Sequence, residues 1–265
     1  MKSPAQRSLA VLMFLVALPC FGKATIQTLQ TASAHEFSAY VDGPADAGTG
    51  IVLVHDWFGV TPAYSQAVER LAKDGYRVVA VDLYGGQHAA THDEAGTLMK
   101  AVDAGLADEK VDAAIKSLAE RPRKIAIMGF SMGAKFAFAA ALRNKAIGAT
   151  LIWYGETVND AARLAALSGP ALLVVGSKDG SAADNAAALS KAADAAGAKA
   201  EIHIFPGEEH AFAQPLFNQG KTYDAVAAES AWRLSEDFLK RGILSNGASS
   251  SKDVPKQEVT QSVEG

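Results

Sequence analysis

Three side chains in this sequence, Ser131, Asp179 and His210, are of the types that together can make a hydroxyl group nucleophilic. A serine hydroxyl is a weak nucleophile at neutral pH, so an imidazole must take its proton and a carboxylate must orient that imidazole. The three residues occur in the order nucleophile, acid and base, and each follows a predicted strand. This pattern predicts acyl-transfer chemistry through a covalent intermediate on Ser131.

Ser131 lies at the centre of a Gly-Phe-Ser-Met-Gly motif at positions 129–133. An apolar run at 124–128 precedes the motif, and an alanine-rich segment at 134–142 follows it. A strand, a G-x-S-x-G turn and a helix are the parts of a nucleophile elbow, which lifts the serine above the sheet. Glycines are required on both sides because a side chain there would collide with the neighbouring strand or helix.

The candidate acid and base follow two later apolar runs. Asp179 comes just after the predicted strand Ala171–Gly176, and His210 comes after the predicted strand Glu201–Phe205. Because ligand sites of open α/β sheets lie at the carboxyl ends of the strands, both residues are expected at the same edge as Ser131. Glu208 or Glu209 could orient His210 instead, although adjacency to the histidine makes that approach awkward.

The loop after another apolar run, Ile51–His55, completes the predicted site. Two backbone N–H groups are expected to donate to the reacting oxygen. One is the N–H of Met132, and this loop should supply the other, for which the N–H of Trp57 is the candidate. Trp57 and Phe58 could also wall an apolar pocket or pack in the core.

Short apolar runs alternate with helical segments along the whole chain, which predicts an α/β three-layer sandwich with a mostly parallel central sheet. The predicted strands are Phe37–Val41, Ile51–His55, Arg77–Asp82, Lys124–Gly129, Ala149–Tyr154, Ala171–Gly176 and Glu201–Phe205. The predicted helices are Pro62–Lys73, Glu94–Ala101, Asp108–Glu120, Met132–Asn144, Ala182–Ala196 and Tyr223–Arg241.

The two ends of the chain differ from this domain, which is expected to span residues 25–244. Lys2 and Arg7 precede an apolar stretch too short to span a bilayer comfortably, and Gly22-Lys23-Ala24 ends in small residues at the positions that a signal peptidase reads. Residues 1–24 therefore predict a signal peptide and a periplasmic or secreted protein. A lipoprotein signal on Cys20 is the weaker alternative, and residues 245–265 are expected to form a disordered tail.

Composition narrows the possible functions. Cys20 is the only cysteine, so the mature chain would lack disulfides, a cysteine nucleophile and thiolate metal sites. Loss of Lys2, Arg7 and Lys23 would leave 22 of the 25 basic residues against 29 acidic ones, and the net charge would move from −4 to −7. An acidic protein without a basic run is a poor candidate for nucleic acid or anionic membranes.

No metal or cofactor is expected. His88 and His92, four residues apart in a polar loop, could form a weak metal site, but the pattern favours solvated loop residues. The expected partner is a small-molecule substrate, and the protein is expected to be a monomer.

Together, these residues resemble the dienelactone hydrolase family of α/β-hydrolases, over nearly the whole predicted domain. The motifs that carry the resemblance are His55–Val60, Asp74–Tyr76, Val81–Gly85, the elbow and Glu209–Phe212. The resemblance implies a nucleophile at Ser131, an acid at Asp179, a base at His210 and oxyanion-hole N–H groups at Trp57 and Met132. It also places Asp56 where the family often has a glutamate that contacts the nucleophile, as an auxiliary acid or substrate contact.

Two departures from the family's pattern affect the expected chemistry, one at the nucleophile and one at the substrate contact. The family's best-known members use cysteine, so His210 here must act as a true general base for Ser131. Dienelactone-cleaving members hold the substrate carboxylate with arginines, one of which is replaced by Gln214. Without that clamp a neutral ester is the expected substrate, unless Lys100, Lys135 or Lys178 supplies a positive charge.

The leading hypothesis is therefore an exported serine hydrolase acting on small esters or lactones. An acyl transferase or peptidase could use the same three residues, because the acceptor is chosen by the shape of the pocket. A non-catalytic binding protein on the same fold is the alternative from another class, since a fold does not determine a function.

Overall fold

The computed structural model describes residues 24–121 and 124–244, so residues 1–23 of the signal peptide predicted at 1–24, and the tail predicted at 245–265, lie outside the described residues. The strands are β1 (Thr25–Gln30), β2 (Glu36–Asp42), β3 (Thr49–Val54), β4 (Arg77–Val81), β5 (Lys124–Phe130), β6 (Ile147–Trp153), β7 (Ala171–Gly176) and β8 (Ala200–Phe205). The helices are α1 (Pro62–Lys73), α2 (His92–Lys100), α3 (Ala104–Ala119), α4 (Met132–Arg143), α5 (Ala161–Leu164), α6 (Gly180–Ala196) and α7 (Ala225–Leu244), and a 3₁₀ turn spans Phe217–Gly220.

The strands form one sheet in the order β1-β2-β4-β3-β5-β6-β7-β8. β2 runs antiparallel to both of its neighbours, whereas β4, β3, β5, β6, β7 and β8 are parallel to one another. Parallel strands all end at the same edge of a sheet, so the loops that follow them emerge together. β3 lies between β4 and β5, which brings the loops after these three strands side by side.

The sheet is buried on both faces. Along β3, the side chains of Ile51 and Leu53 join a core cluster with α1 and α7, whereas those of Val52 and Val54 join a second cluster with α3, α4 and α6. This division follows from the two-residue repeat of a strand. The layers of helix, sheet and helix confirm the predicted α/β sandwich.

The structure differs from the sequence prediction mainly at element boundaries and in β1. β1 was not predicted because its side chains are largely polar and exposed, and it is held by antiparallel backbone pairing with β2. α3 begins at Ala104, four residues earlier than predicted, because the Asp103 carboxylate accepts a hydrogen bond from the Leu106 N–H and caps the helix. α2 likewise begins at His92, where Thr91 and Glu94 form a capping box.

Candidate active site

Ser131 lies on the sharp turn between β5 and α4 that the motif predicts. Its φ of 48° and ψ of −113° are unusual for a residue with a side chain, and its N–H donates a 2.9 Å hydrogen bond to the Trp153 carbonyl. Such angles are strained and persist only where the surrounding structure enforces them. The backbone therefore presents the hydroxyl at the carboxyl edge of the sheet.

Close packing around the turn explains its glycines. A Cβ atom at Gly129 would lie 2.6 Å from the Cβ of Ala137, and one at Gly133 would overlap the His55 carbonyl oxygen. Gly155, after β6, is equally constrained because its Cβ would lie 2.7 Å from the Ser131 carbonyl oxygen. Sequence reasoning missed Gly155, since no local motif marks it.

Ser131, His210 and Asp179 form a continuous chain of hydrogen bonds. Ser131 Oγ lies 2.9 Å from His210 Nε2, and His210 Nδ1 lies 2.7 Å from Asp179 Oδ2. A carboxylate accepts from Nδ1–H, and this tautomer leaves Nε2 free to accept the serine proton. The structure thus brings the three predicted residues together in the geometry of a nucleophile, a base and an orienting acid.

The loops that carry Asp179 and His210 are tied to each other. The Lys178 N–H donates to the Glu208 carbonyl at 2.8 Å, and the Gly207 N–H donates to Ser177 Oγ at 2.8 Å. Asp179, not Glu208 or the neighbouring Glu209, is the carboxylate that reaches His210. It is only 7% exposed, so water competes little for this bond.

The two N–H groups expected to bind the reacting oxygen are available. Trp57 and Met132 line the same pocket as Ser131, and Met132 is the first residue of α4. Within residues 24–121 and 124–244, neither N–H donates a hydrogen bond to another protein group. Free N–H groups at the start of a helix and in an adjacent loop are suited to stabilising an oxyanion.

The pocket over Ser131 has a volume of about 580 Å³ and mostly apolar walls. These walls include Trp57, Met99, Val102, Phe136, Tyr154 and Phe217. Of the three lysines considered above, only Lys135 lines it, and Glu156 supplies an opposite charge. The pocket therefore suits a small apolar molecule with one reacting polar group.

Asp56, which the family resemblance implies as an auxiliary acid or substrate contact, is held inside the protein. It is 1% exposed, and its carboxylate accepts hydrogen bonds from the Phe58 N–H and from Gln214 Nε2, each at 2.8 Å. Within the described part of the chain, no hydrogen bond joins Asp56 to Ser131. Burial raises the pKa of Asp56, and the bond from Gln214 is the strongest opposing influence.

Gln214 therefore binds an internal carboxylate. It is 3% exposed and lines a separate cavity of about 220 Å³ with Tyr64, Trp153 and Trp232. The larger pocket over Ser131 does not include it among the described lining residues. Its amide is therefore engaged inside the protein and does not face the pocket over Ser131.

Two residues near the site were not singled out by sequence reasoning. His55, which was read only as part of a motif, is fully buried, with Nδ1 donating to the Asp56 carbonyl and Nε2 accepting from the Leu83 N–H at 3.1 Å. Burial lowers the pKa of His55 to about 4, so its ring is neutral at physiological pH. Tyr84 hydrogen-bonds to the Trp57 carbonyl, a contact that no sequence spacing signals.

The ring of His92 lies against aromatic side chains. Its ring lies 5.2 Å from the rings of Trp57 and Phe217, while the backbone of His88 bridges to Gly59. In the described residues, no group of three or more His, Cys, Asp or Glu side chains is placed to hold a metal ion. No helix in the same part of the chain has the length and apolar character needed to cross a membrane.

Known proteins resemble this chain over most of its length. The dienelactone hydrolase family profile matches residues 37–243. A candidate carboxymethylenebutenolidase from Aquifex aeolicus is 28% identical over 214 residues, covering 76% of this chain and 91% of its own. A candidate dienelactone hydrolase from Klebsiella pneumoniae, known from a crystal structure, superposes with a TM-score of 0.70 at 25% identity, covering 82% of this chain and 98% of its own.

A further solved structure, a dienelactone hydrolase-like promiscuous phosphotriesterase from metagenomic libraries, has a TM-score of 0.72 at 16% identity. It covers 83% of this chain and 99% of that chain, and at this identity it shows the α/β-hydrolase fold alone. The profile match covers most of the sequence. The chain belongs to the dienelactone hydrolase family and is a hydrolase of that type.

Proposed function

We propose that this protein is a serine hydrolase that cleaves small carboxylic esters or lactones through an acyl-enzyme on Ser131. The observation that carries the proposal is the chain of hydrogen bonds from Ser131 Oγ to His210 Nε2 at 2.9 Å and from His210 Nδ1 to Asp179 Oδ2 at 2.7 Å. Relatives that bear the name carboxymethylenebutenolidase support a lactone or a related ester as the substrate.

In the first half of the reaction, Ser131 Oγ attacks the substrate carbonyl carbon and His210 Nε2 takes the hydroxyl proton. The carbonyl oxygen becomes an oxyanion, to which the N–H groups of Trp57 and Met132 donate. The tetrahedral intermediate then expels the alkoxide, which takes the proton from His210. An acyl group remains on Ser131, and in a lactone the new hydroxyl stays attached to that group.

Water completes the cycle in the second half. His210 removes a proton from a water molecule, whose oxygen attacks the acyl carbon. Collapse of the second tetrahedral intermediate breaks the bond to Ser131 Oγ, which recovers its proton from His210. The products are a carboxylic acid and an alcohol, or one hydroxy acid from a lactone. Asp179 orients the ring and stabilises its charged form throughout.

The walls of the pocket favour uncharged substrates. They are mainly apolar, and the carboxylate of Glu156 offsets the positive charge of Lys135. Gln214, at the position where dienelactone-cleaving relatives have an arginine, is bonded to Asp56. We therefore propose that neutral esters, and not dienelactone itself, are the preferred substrates. The proposed partner is this small molecule, bound by a monomer without a cofactor.

A fluorophosphonate probe tests the nucleophile directly. It should label the wild-type protein but not Ser131→Ala, while the control Ser190→Ala, on the exposed face of α6, should label normally. Loss of Ser131 or His210 should lower kcat by up to about 10⁶-fold, because members of such a triad act as a unit. Near wild-type turnover by Ser131→Ala would show that Ser131 is not the nucleophile.

We also propose that the protein is exported after removal of residues 1–24. N-terminal sequencing of protein from the extracytoplasmic fraction should find Thr25 first. Met1 retained on cytoplasmic protein would contradict export, and a lipid on Cys20 would favour the lipoprotein alternative.

A further inference from the structure

The peptide between Asp56 and Trp57 carries one of the two N–H groups proposed to bind the oxyanion. Its carbonyl oxygen accepts hydrogen bonds from His55 Nδ1 and, at 3.2 Å, from the Gly59 N–H. The N–H and C=O of a trans peptide point in opposite directions. Holding the Asp56 oxygen on one side therefore sets the direction of the Trp57 N–H on the other.

The next peptide, between Trp57 and Phe58, is also held at both ends. Its N–H donates to Asp56 Oδ1 at 2.8 Å, and its carbonyl oxygen accepts from the Tyr84 hydroxyl at 3.0 Å. Without the hydrogen bond from Tyr84, the peptide between Trp57 and Phe58 could rotate more freely, and its rotation would change the direction of the Trp57 N–H. Tyr84, which lies outside this loop, thus fixes the position of the Trp57 carbonyl.

The same hydroxyl reaches the residue that carries the second donor. Tyr84 Oη lies 3.4 Å from Met132 Sδ. The tyrosine itself is anchored, because its N–H donates to Asp82 Oδ1 at 2.8 Å and its ring packs edge-on against His55 with centroids 4.8 Å apart. It is 8% exposed, so little water can replace its hydrogen bonds.

The charge state of Tyr84 suits this role. Burial, with a smaller effect of the Asp56 carboxylate, raises the pKa of Tyr84 above its ordinary value. The hydroxyl therefore keeps its proton over the physiological range and remains a donor to the Trp57 carbonyl.

We propose that Tyr84 is a positioning residue. It holds Trp57 and Met132 in fixed positions relative to each other, so that the N–H groups of both residues can donate to the oxyanion. This inference rests on the serine hydrolase function proposed above. Tyr84 acts through these two residues, so its hydroxyl matters most when negative charge has developed on the substrate oxygen. Its loss should weaken binding of the transition state more than binding of the substrate.

The test is Tyr84→Phe, which removes one oxygen and keeps the ring packed against His55. With a neutral ester, we expect kcat to fall about tenfold to a hundredfold while KM changes less than about threefold, because a slightly misplaced donor costs less than a deleted one. A trifluoromethyl ketone, which adds to Ser131 and forms an oxyanion, should bind more weakly by the same factor as the loss in kcat/KM.

Tyr76→Phe is the matched control, because Tyr76 is also buried and the described residues supply no hydrogen-bond partner for its hydroxyl. It should leave kcat and the ketone affinity unchanged, and thermal unfolding should show both variants folded. Unchanged kcat and ketone affinity in Tyr84→Phe would overturn the inference, as would an equal loss in Tyr76→Phe. A wild-type protein that neither turned over esters nor reacted with fluorophosphonate would instead refute the proposed function.

Discussion

Replacing Gln214 with leucine should destabilise the folded protein, although Gln214 lies outside the pocket over Ser131. The change removes the amide that donates to Asp56 Oδ2 at 2.8 Å, at a place where the two residues are only 3% and 1% exposed. A hydrogen bond to a charged group is worth about 1.5–3 kcal/mol, and a leucine side chain has no donor to replace the lost amide. We therefore expect a loss of about 2–3 kcal/mol.

Thermal and urea unfolding measure this loss. For a domain of this size, about 2–3 kcal/mol corresponds to a fall in Tm of about 4–12 °C. Gln66→Leu on the exposed side of α1 is the control, and it should shift Tm by less than about 1 °C. A shift in Gln214→Leu as small as that of the control would refute the energetic role of the bond.

The pH dependence gives a second check on the same bond. Burial raises the pKa of Asp56 in the folded state, so between the unfolded and folded pKa values the folded protein binds more protons and stability falls as pH rises. Because the bond from Gln214 lowers this pKa, its loss should raise the pKa further. The penalty of Gln214→Leu should then be larger at neutral pH than in acid, and it should shrink in an Asp56→Asn background.

Two other features lead to predictions. His55 has a folded-state pKa of about 4 against a usual 6.5, so as pH falls the unfolded chain binds this proton before the folded protein does. Neutral His55 should therefore contribute about 3 kcal/mol to the free energy of unfolding. This contribution should be complete above pH 6.5 and should be lost progressively towards pH 4. An NMR titration in which His55 gained its proton near pH 6.5 would contradict this. For the proposed ester specificity, a neutral ester should exceed its carboxylate-bearing analogue in kcat/KM by about tenfold or more. A higher kcat/KM for the anionic analogue would contradict this prediction. If the Lys135→Met variant then lost that preference, Lys135 would be identified as a replacement for the missing arginine.

Much of the fold could be predicted from local patterns. Continuous apolar runs such as Leu172–Val175 mark strands that are buried on both faces, and their alternation with helical segments determines a parallel sheet between two helical layers. β1 could not be found in this way because its side chains are mostly exposed, so its place depends on backbone pairing that leaves no apolar pattern. The start of α3 was placed late because a single capping residue, Asp103, sets it.

The sequence by itself also determined which residues could meet at the carboxyl edge of the sheet. Ser131, Asp179 and His210 each follow a strand, and parallel strands must end on the same side whatever their order. Their types and chain order were therefore enough to predict the neighbourhood, although not the distances within it.

Only the tertiary structure decided which side chains touch within that neighbourhood. β3 lies between β4 and β5, and this order brings Tyr84 against both Trp57 and Met132. Likewise, Gln214 donates a hydrogen bond to Asp56, from which it is separated by 158 positions in the chain. Such contacts depend on strand order, register and the paths of separate loops, and the sequence encodes these only through the packing of the whole chain.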